Sequence, residues 1–317
     1  MMSVTTLERI ESHLPARSIR IDDLAERLSL RPTEIGVFRK IYGLDRLHFD
    51  TDLDFFDLLL PAARRALLHL PTDGFVAYVI YAHTVQTVAP PDIDPAQVIK
   101  RELGIEGAEA FALNQQACVS SLGAIDLAGT LLRSEAPKGA YALIVTGEQA
   151  FSPKIQLIPH SAIMAEGAAA CLVTLDGGGD RVRSFVTRTL GQFSAGLLMT
   201  NEEIRELGAL YAKTLALVIS EAIAEAGLRP DDIHLIIPHN VNTITWKQTI
   251  KELEIGIDKF FLENIPKVSH CYSSDVFINY TTLLEEKRLV GNGNYVLASV
   301  GLGATFGALV VTRKESN

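Results

Sequence analysis

Along most of this chain, apolar runs of strand length alternate with longer stretches whose apolar residues recur at helical spacing. FVAYVIYAHT (75–84) reads as a buried strand and DPAQVIKREL (94–103) as a helix. AEAFAL (108–113) is a short strand feeding NQQACVSSLGAIDLAGTLLRSE, and YALIVTGE (141–148) and GAAACLVTL (167–175) are strands again. After a turn-rich piece, DGGGDRV, the pattern predicts a long helix from about Asn201 to Gly227. Strand IHLIIPHN (233–240) and helix VNTITWKQTIKEL follow, then a polar loop with a helix to about Glu286. The strands YVLASVG (295–301) and FGALVVTRK (306–314) close the chain. Strands alternating with helices predict a layered α/β fold with a mostly parallel sheet. Two similar endings, AEGAAACLVTL and GATFGALVVTR, hint at an internal duplication with a boundary near Asp176. That divides the chain into an N-terminal half, 1–176, and a C-terminal half, 177–317.

Composition narrows the classes. Hydrophobic residues make up 48% and charged residues 21% of 317, an ordinary globular balance with enough apolar surface for a large core. A net charge of −9 argues against nucleic-acid binding, while an acidic carrier protein can still dock on a local basic patch. Cys118, Cys171 and Cys271 are odd in number and far apart, so a disulfide framework is not expected and a reducing compartment fits. No C-x-x-C pair suggests a thiolate zinc site. The N-terminus, MMSVTTLERIESHLPARSIR, carries charges where a signal peptide needs an apolar core, and no apolar run is read as approaching the ~20 residues of a membrane span. The expectation is a soluble cytoplasmic protein without a membrane partner.

Four features can carry chemistry. Cys118 falls between the strand AEAFAL and a helical pattern marked by Val119, Leu122, Ile125, Leu127, Leu131 and Leu132, so it sits at a helix N-terminus. Free N–H groups and the positive dipole end there favour a thiolate, although most cysteines are simply small buried hydrophobes. His239 ends a parallel strand in the motif PHNVN, where α/β folds place ligands; Asn240 or Asn242 can equally cap the next helix. In VSHCYSSDVFINY (268–280), Asp275 in a first helical turn can fold back to orient the His270 imidazole. Helix capping by Ser273 or Ser274 explains the serines and the aspartate there, but not His270. Finally, SVGLGATFG (299–307) is a glycine turn between strands with Gly301, Gly303 and Gly307. It fits neither a P-loop nor a dinucleotide fingerprint, and a backbone N–H aimed at a carbonyl oxygen is its better use.

In this order, a cysteine, P-H-x-x-N, a polar loop before a helix and a glycine turn, the chain resembles the thiolase-fold condensing enzymes of the β-ketoacyl-acyl-carrier-protein synthase III type. ESHLPARSIRIDDLAERL looks like that family's opening strand and helix, and NQQACVSSLGAIDLA its nucleophile segment. MAEGAAACLVTL looks like the strand closing the first half, with Glu166 at the acidic position. IIPHNVN and SVGLGATFGALVV match its histidine block and oxyanion-loop ending. The resemblance implies a thiolase-like fold of two duplicated halves in five layers, αβαβα, and a homodimer. It implies Cys118 as the acylated nucleophile, with its own N–H and that of Gly303 as oxyanion hole. His239 would bind a thioester carbonyl or act as base, and Asn242 would support the loop. No cofactor is implied beyond the phosphopantetheine arm of a carrier protein, or coenzyme A, as substrate carrier.

Two departures stand out. The family's third catalytic residue is an asparagine in G-N-x-S-A-A-S; here SHCYSSD puts His270 in its place, with Asp275 following. A related group of natural-product acyltransferases shows a similar His-x-x-x-x-Asp and passes acyl groups to oxygen, nitrogen or thiol acceptors. An imidazole held by a carboxylate can deprotonate such an acceptor, whereas an asparagine amide cannot. Against this, Cys-His-His also resembles a condensing branch. The second departure is at the mouth, where Trp and Arg usually grip coenzyme A: here stand Val37 and Ile41, and Ile244 replaces an Arg after the histidine block. Lys247 and Lys251 can instead meet an acidic carrier protein. Three readings follow: a ping-pong acyltransferase, a decarboxylative synthase using a malonyl unit, and a non-catalytic partner subunit of a synthase. Metal binding by His239, His270 and Cys271 has no ligand spacing behind it.

Overall fold

In the computed structural model, which describes residues 3–315, nine strands share one sheet whose order repeats itself. The first half supplies β1 (Thr5–His13), β2 (Phe75–Ala82), β3 (Glu109–Leu113), β4 (Ala140–Glu148) and β5 (Gly167–Leu175), in the order β3-β2-β4-β5-β1. The second supplies β6 (Asp180–Thr189), β7 (Ile233–Pro238), β8 (Asn294–Gly301) and β9 (Thr305–Thr312), in the order β7-β8-β9-β6. In each half the inner strands run parallel and the last strand is antiparallel to both its neighbours. The second half lacks a counterpart of β3; a single parallel bridge from Ile236 to Phe260 stands there. β1 and β6 join the halves by a short antiparallel pairing, Thr6 opposite Arg181 and Leu7 opposite Asp180.

Among the described residues seven helices have eight residues or more: α1 (Pro32–Lys40), α2 (Phe55–Leu67), α3 (Pro95–Glu102), α4 (Ser120–Ser134), α5 (Asn201–Glu225), α6 (Thr243–Leu253) and α7 (Asp275–Glu285). α2 and α3 cover the outer face of the first half, and α5, with α6 packed on it, covers that of the second. α4 packs on β2, β4 and β5 and reaches β9; α7 packs on β1 and β5 and also on β7 and β8. Both therefore lie between the two half-sheets, which gives the αβαβα layering. A central layer must be apolar on all sides, and α7, read as DVFINYTTLLE, is buried along nearly its whole length. The strand β5 is buried from Gly167 to Thr174, matching its unbroken apolar run.

Several expectations change. β6 was not anticipated, because its polar run DRVRSFVTRT buries only Asp180 and Ser184. The expected opening strand and helix resolve differently: β1 begins earlier, at Thr5, and only a short strand, Ser18–Arg20, and a single turn, Ile21–Leu24, follow. α5 is also long and apolar enough to cross a membrane by length and composition, contrary to the expectation that no run approaches that length. Its later half buries Leu215, Val218, Ile219, Ala222 and Ile223 on the second half-sheet.

Candidate active site

Cys118 sits in a single 3-10 turn, Ala117–Val119, that leads straight into α4. Ala117 is held at φ +48°, a left-handed conformation costly for a residue with a Cβ and sustained only by its surroundings. Those surroundings come from the other half. Ser299 at the end of β8 donates its hydroxyl to the Cys118 carbonyl at 2.9 Å. Gly301 lies so close to the Gln116 carbonyl that any side chain there would collide with it, and Gly307 is pressed in the same way against Val119. Gly303 lies in the β8–β9 turn at φ +105°, beside the backbone of Ser194.

The Cys118 sulfur is 3.5 Å from His270 Nε2 and 3.6 Å from the Thr84 hydroxyl. On the far side of the ring, His270 Nδ1–H donates to Asp275 Oδ2 at 2.5 Å. The same carboxylate accepts the backbone N–H of Asn240 and of Cys271, both at 2.6 Å. These donors hold the Asp275 carboxylate in place and fix the ring's tautomer. His270 is presented by a strained segment, with Ser269 at φ +62° and Tyr272 at φ +53°. α7 begins at Asp275 rather than near Ser273, after a 3-10 turn at Tyr272–Ser274.

His239 follows β7, its ring 5.6 Å from that of His270 and 5.4 Å from that of Trp246. Its Nε2 lies 3.4 Å from the Tyr211 hydroxyl of α5, while Nδ1 has no partner among the described residues. The two histidines are opposites electrically. Burial, and then the nearby charge of His270, push His239 well below its ordinary value, so it stays neutral. Burial would lower His270 too, but the Asp275 carboxylate and the Cys118 sulfur outweigh it and raise this ring to about 10. Cys271, the neighbour of His270, is pushed up by burial and then by Asp275. Among the described residues no cluster of three potential ligands forms a metal site, so His239, His270 and Cys271 do not gather as one.

Asn242 is the N-cap of α6, accepting from Thr245 N at 2.8 Å, and its amide donates to the Ser161 carbonyl at 3.1 Å. Sequence reasoning missed the residues that brace the site. Glu148, fully buried and raised by that burial to about 7, accepts the N–H groups of Thr84 and Val85 at 2.7 and 2.6 Å and so holds Thr84 beside Cys118. Glu166, which the sequence places at the acidic position of its strand, ties Asp50 N and Ala150 N at 3.0 and 3.1 Å. Tyr211 gave no signal, being one more residue of an apolar helix. Asn279 did: an asparagine inside the apolar helix DVFINYTTLLE calls for a buried partner. At the surface, Thr243 N donates to the Tyr42 carbonyl at 2.8 Å and brings the end of α1 to the start of α6. Val37, Ile41 and Ile244 are exposed there, with Lys247 and Lys251 further along α6.

Known proteins point the same way. Residues 223–313 match the family model of the 3-oxoacyl-[acyl-carrier-protein] synthase III C-terminal region. Over 324 aligned positions the chain is 28% identical to β-ketoacyl-[acyl-carrier-protein] synthase III 2 of Vibrio vulnificus, covering 94% of this chain and 85% of that one. The acyltransferase ChlB3 superimposes with a TM-score of 0.84 at 19% identity over 98% of both chains. The 3-oxoacyl-(acyl carrier protein) synthase III FabH of Pseudomonas aeruginosa does so with a TM-score of 0.80 at 21% identity over 99% of both. The chain is thus similar to synthase III enzymes over most of its length and shares the fold of these solved structures.

Proposed function

We propose that the chain is an acyltransferase working through a Cys118 acyl-enzyme, with His270, oriented by Asp275, as the base for a heteroatom acceptor. The observation that carries this is the line Asp275–His270–Cys118, 2.5 Å and then 3.5 Å, with His270 Nε2 aimed at the sulfur. In the first step the Cys118 thiolate attacks the donor thioester, forming the acyl–Sγ bond and breaking the bond to the carrier's sulfur. The His270 proton goes to that departing sulfur. Acylation cancels the thiolate charge that helped hold the proton, so the ring is now a neutral base. In the second step it takes the acceptor's proton, the acceptor's O, N or S bonds to the acyl carbon, and Sγ leaves as a thiolate beside an imidazolium. The Cys118 N–H and that of Gly303 are the proposed oxyanion donors, His239 a carbonyl-binding group and Asn242 a support of its loop.

Decarboxylative condensation is the competing reading. It needs two donors free to stabilise an enolate. Here His239 Nε2 faces Tyr211 and His270 Nε2 faces Cys118, which favours transfer without condensation. A non-catalytic subunit would have no use for this arrangement. For the donor, a carrier protein is favoured over free coenzyme A by exposed Val37, Ile41 and Ile244 at the mouth and by Lys247 and Lys251. We read the chain as 1–176 and 177–317 joined in one homodimer-forming unit acting in the cytoplasm, where its three free cysteines suit a reducing milieu.

The test is intact-protein mass spectrometry after incubation with acetyl- and malonyl-loaded carrier protein, with Cys118→Ala and His270→Ala as controls. A Cys118-dependent adduct that retains the carboxylate, and that persists without acceptor, supports transfer; in His270→Ala its turnover should fall by about 100-fold or more. An acetyl adduct that yields a β-ketoacyl product with malonyl carrier protein makes the enzyme condensing and overturns the proposal.

A further inference from the structure

Behind the site lies a buried group of three asparagines. Asn279 stands four residues after Asp275 on α7, hence on the same helix face, and asparagine is a poor choice for a fully buried helix interior. Its amide donates to the Pro238 carbonyl at 2.7 Å and to Asn240 Oδ1 at 2.8 Å. Its Oδ1 accepts from Asn240 Nδ2 at 3.3 Å and from Asn264 Nδ2 at 2.8 Å. Asn240 Nδ2 turns its other hydrogen toward Asp275 Oδ1 at 3.5 Å, and Asn264 Nδ2 also reaches the Thr282 hydroxyl at 2.9 Å. Both amide hydrogens and both acceptor sites of Asn279 are thereby used, the condition under which a buried polar network is rigid rather than costly.

Each arm ends on a segment that delivers a site residue. Pro238 and Asn240 flank His239, and the Asn240 backbone N–H is one of the two that bind Asp275. Asn264 opens the short turn that runs into His270, its carbonyl accepting from Val268 N at 2.8 Å. We propose that Asn279 is a positioning residue: through this closed carboxamide clamp it sets the Asp275 carboxylate, and with it the His270 ring, in line with the Cys118 sulfur. The proposal rests on the reading of Cys118 and His270 given above.

The experiment follows alkylation of Cys118 by iodoacetamide across the pH range in which thiols titrate, in wild type, His270→Ala, Asn279→Leu and Asn264→Ala. Asn279→Leu should move the pH midpoint of alkylation by about one unit toward that of His270→Ala, a roughly tenfold loss of rate below it. Asn264→Ala, which removes one arm, should move it the same way by less. A wild-type profile in folded Asn279→Leu overturns the clamp, whatever happens to its melting temperature. Should Asn279→Leu fail to fold, Asn264→Ala decides: a shift in that direction supports the clamp and an unchanged profile overturns it. If wild type and His270→Ala share one profile, the underlying reading falls, and the clamp with it.

Discussion

The two central helices, α4 and α7, begin alike and end up chemically opposite. Each follows a single 3-10 turn containing a non-glycine residue in the left-handed region, Ala117 in one case and Tyr272 in the other. Neither has a side-chain cap. At α4, the hydroxyls of Ser120 and Ser121 are buried with no partner among the described residues, and no acidic residue occupies the first turn. At α7, the first residue is Asp275, with an imidazole and two backbone N–H groups bound to it. The duplicated fold thus offers the same helix start twice. One copy leaves two hydroxyls uncommitted beside Cys118, the proposed nucleophile, where charge would appear during reaction. The other is saturated, which fixes His270, the proposed base, in place.

The sharpest way to break this contrast is to unsaturate the second helix start. Asp275→Ala strands the His270 ring and two buried N–H groups, and should lower unfolding stability by about 3–5 kcal/mol in urea denaturation. A loss below about 1 kcal/mol would mean that Asp275 does not anchor that end.

A smaller effect separates the two histidines by pH. His239 is depressed: below pH 6.5 the unfolded chain takes up a proton that the folded one refuses, so stability falls as the solution is acidified. His270 is raised to about 10: its contribution is complete below pH 6.5 and is lost as pH climbs from there through about 10. Each slope is at most about 1.4 kcal/mol per pH unit, and His239→Gln should flatten only the acid limb of a stability–pH curve. The smallest effect belongs to the uncommitted helix start. Ser120→Ala and Ser121→Ala remove hydroxyls that have no partner, and should change stability by no more than about 0.5 kcal/mol, or raise it. A clear loss in thermal melts would reveal a bond at that end and erase the asymmetry.

Where one physical signal dominated, the sequence was readable. Continuous apolar runs marked β2, β4, β5, β8 and β9 to within a residue or two at most ends, because strands buried on both faces admit little else. Cys118, His239, His270 and Asp275 could be picked out by their order along the chain and their places at element ends, although each alone had an ordinary structural explanation or none, and the structure brings the four into one cluster. β6 escaped notice because an edge-of-half strand exposing arginines carries no apolar alternation. α2 was passed over as well; Pro61 inside it interrupts the usual helix pattern. Tyr211, Glu148 and the partners of Asn279 depend on which elements meet across the layers, and local spacing holds no record of that.

The two rims of the sheet are finished differently. Beyond β7, the bridge from Ile236 to Phe260 and the bond from Phe261 N to the Ile236 carbonyl at 3.0 Å engage the middle of the outer strand. Beyond β3, at the opposite rim, no strand pairs among the described residues. A strand added to this sheet would meet an existing bridge at the β7 rim and no paired strand at the β3 rim.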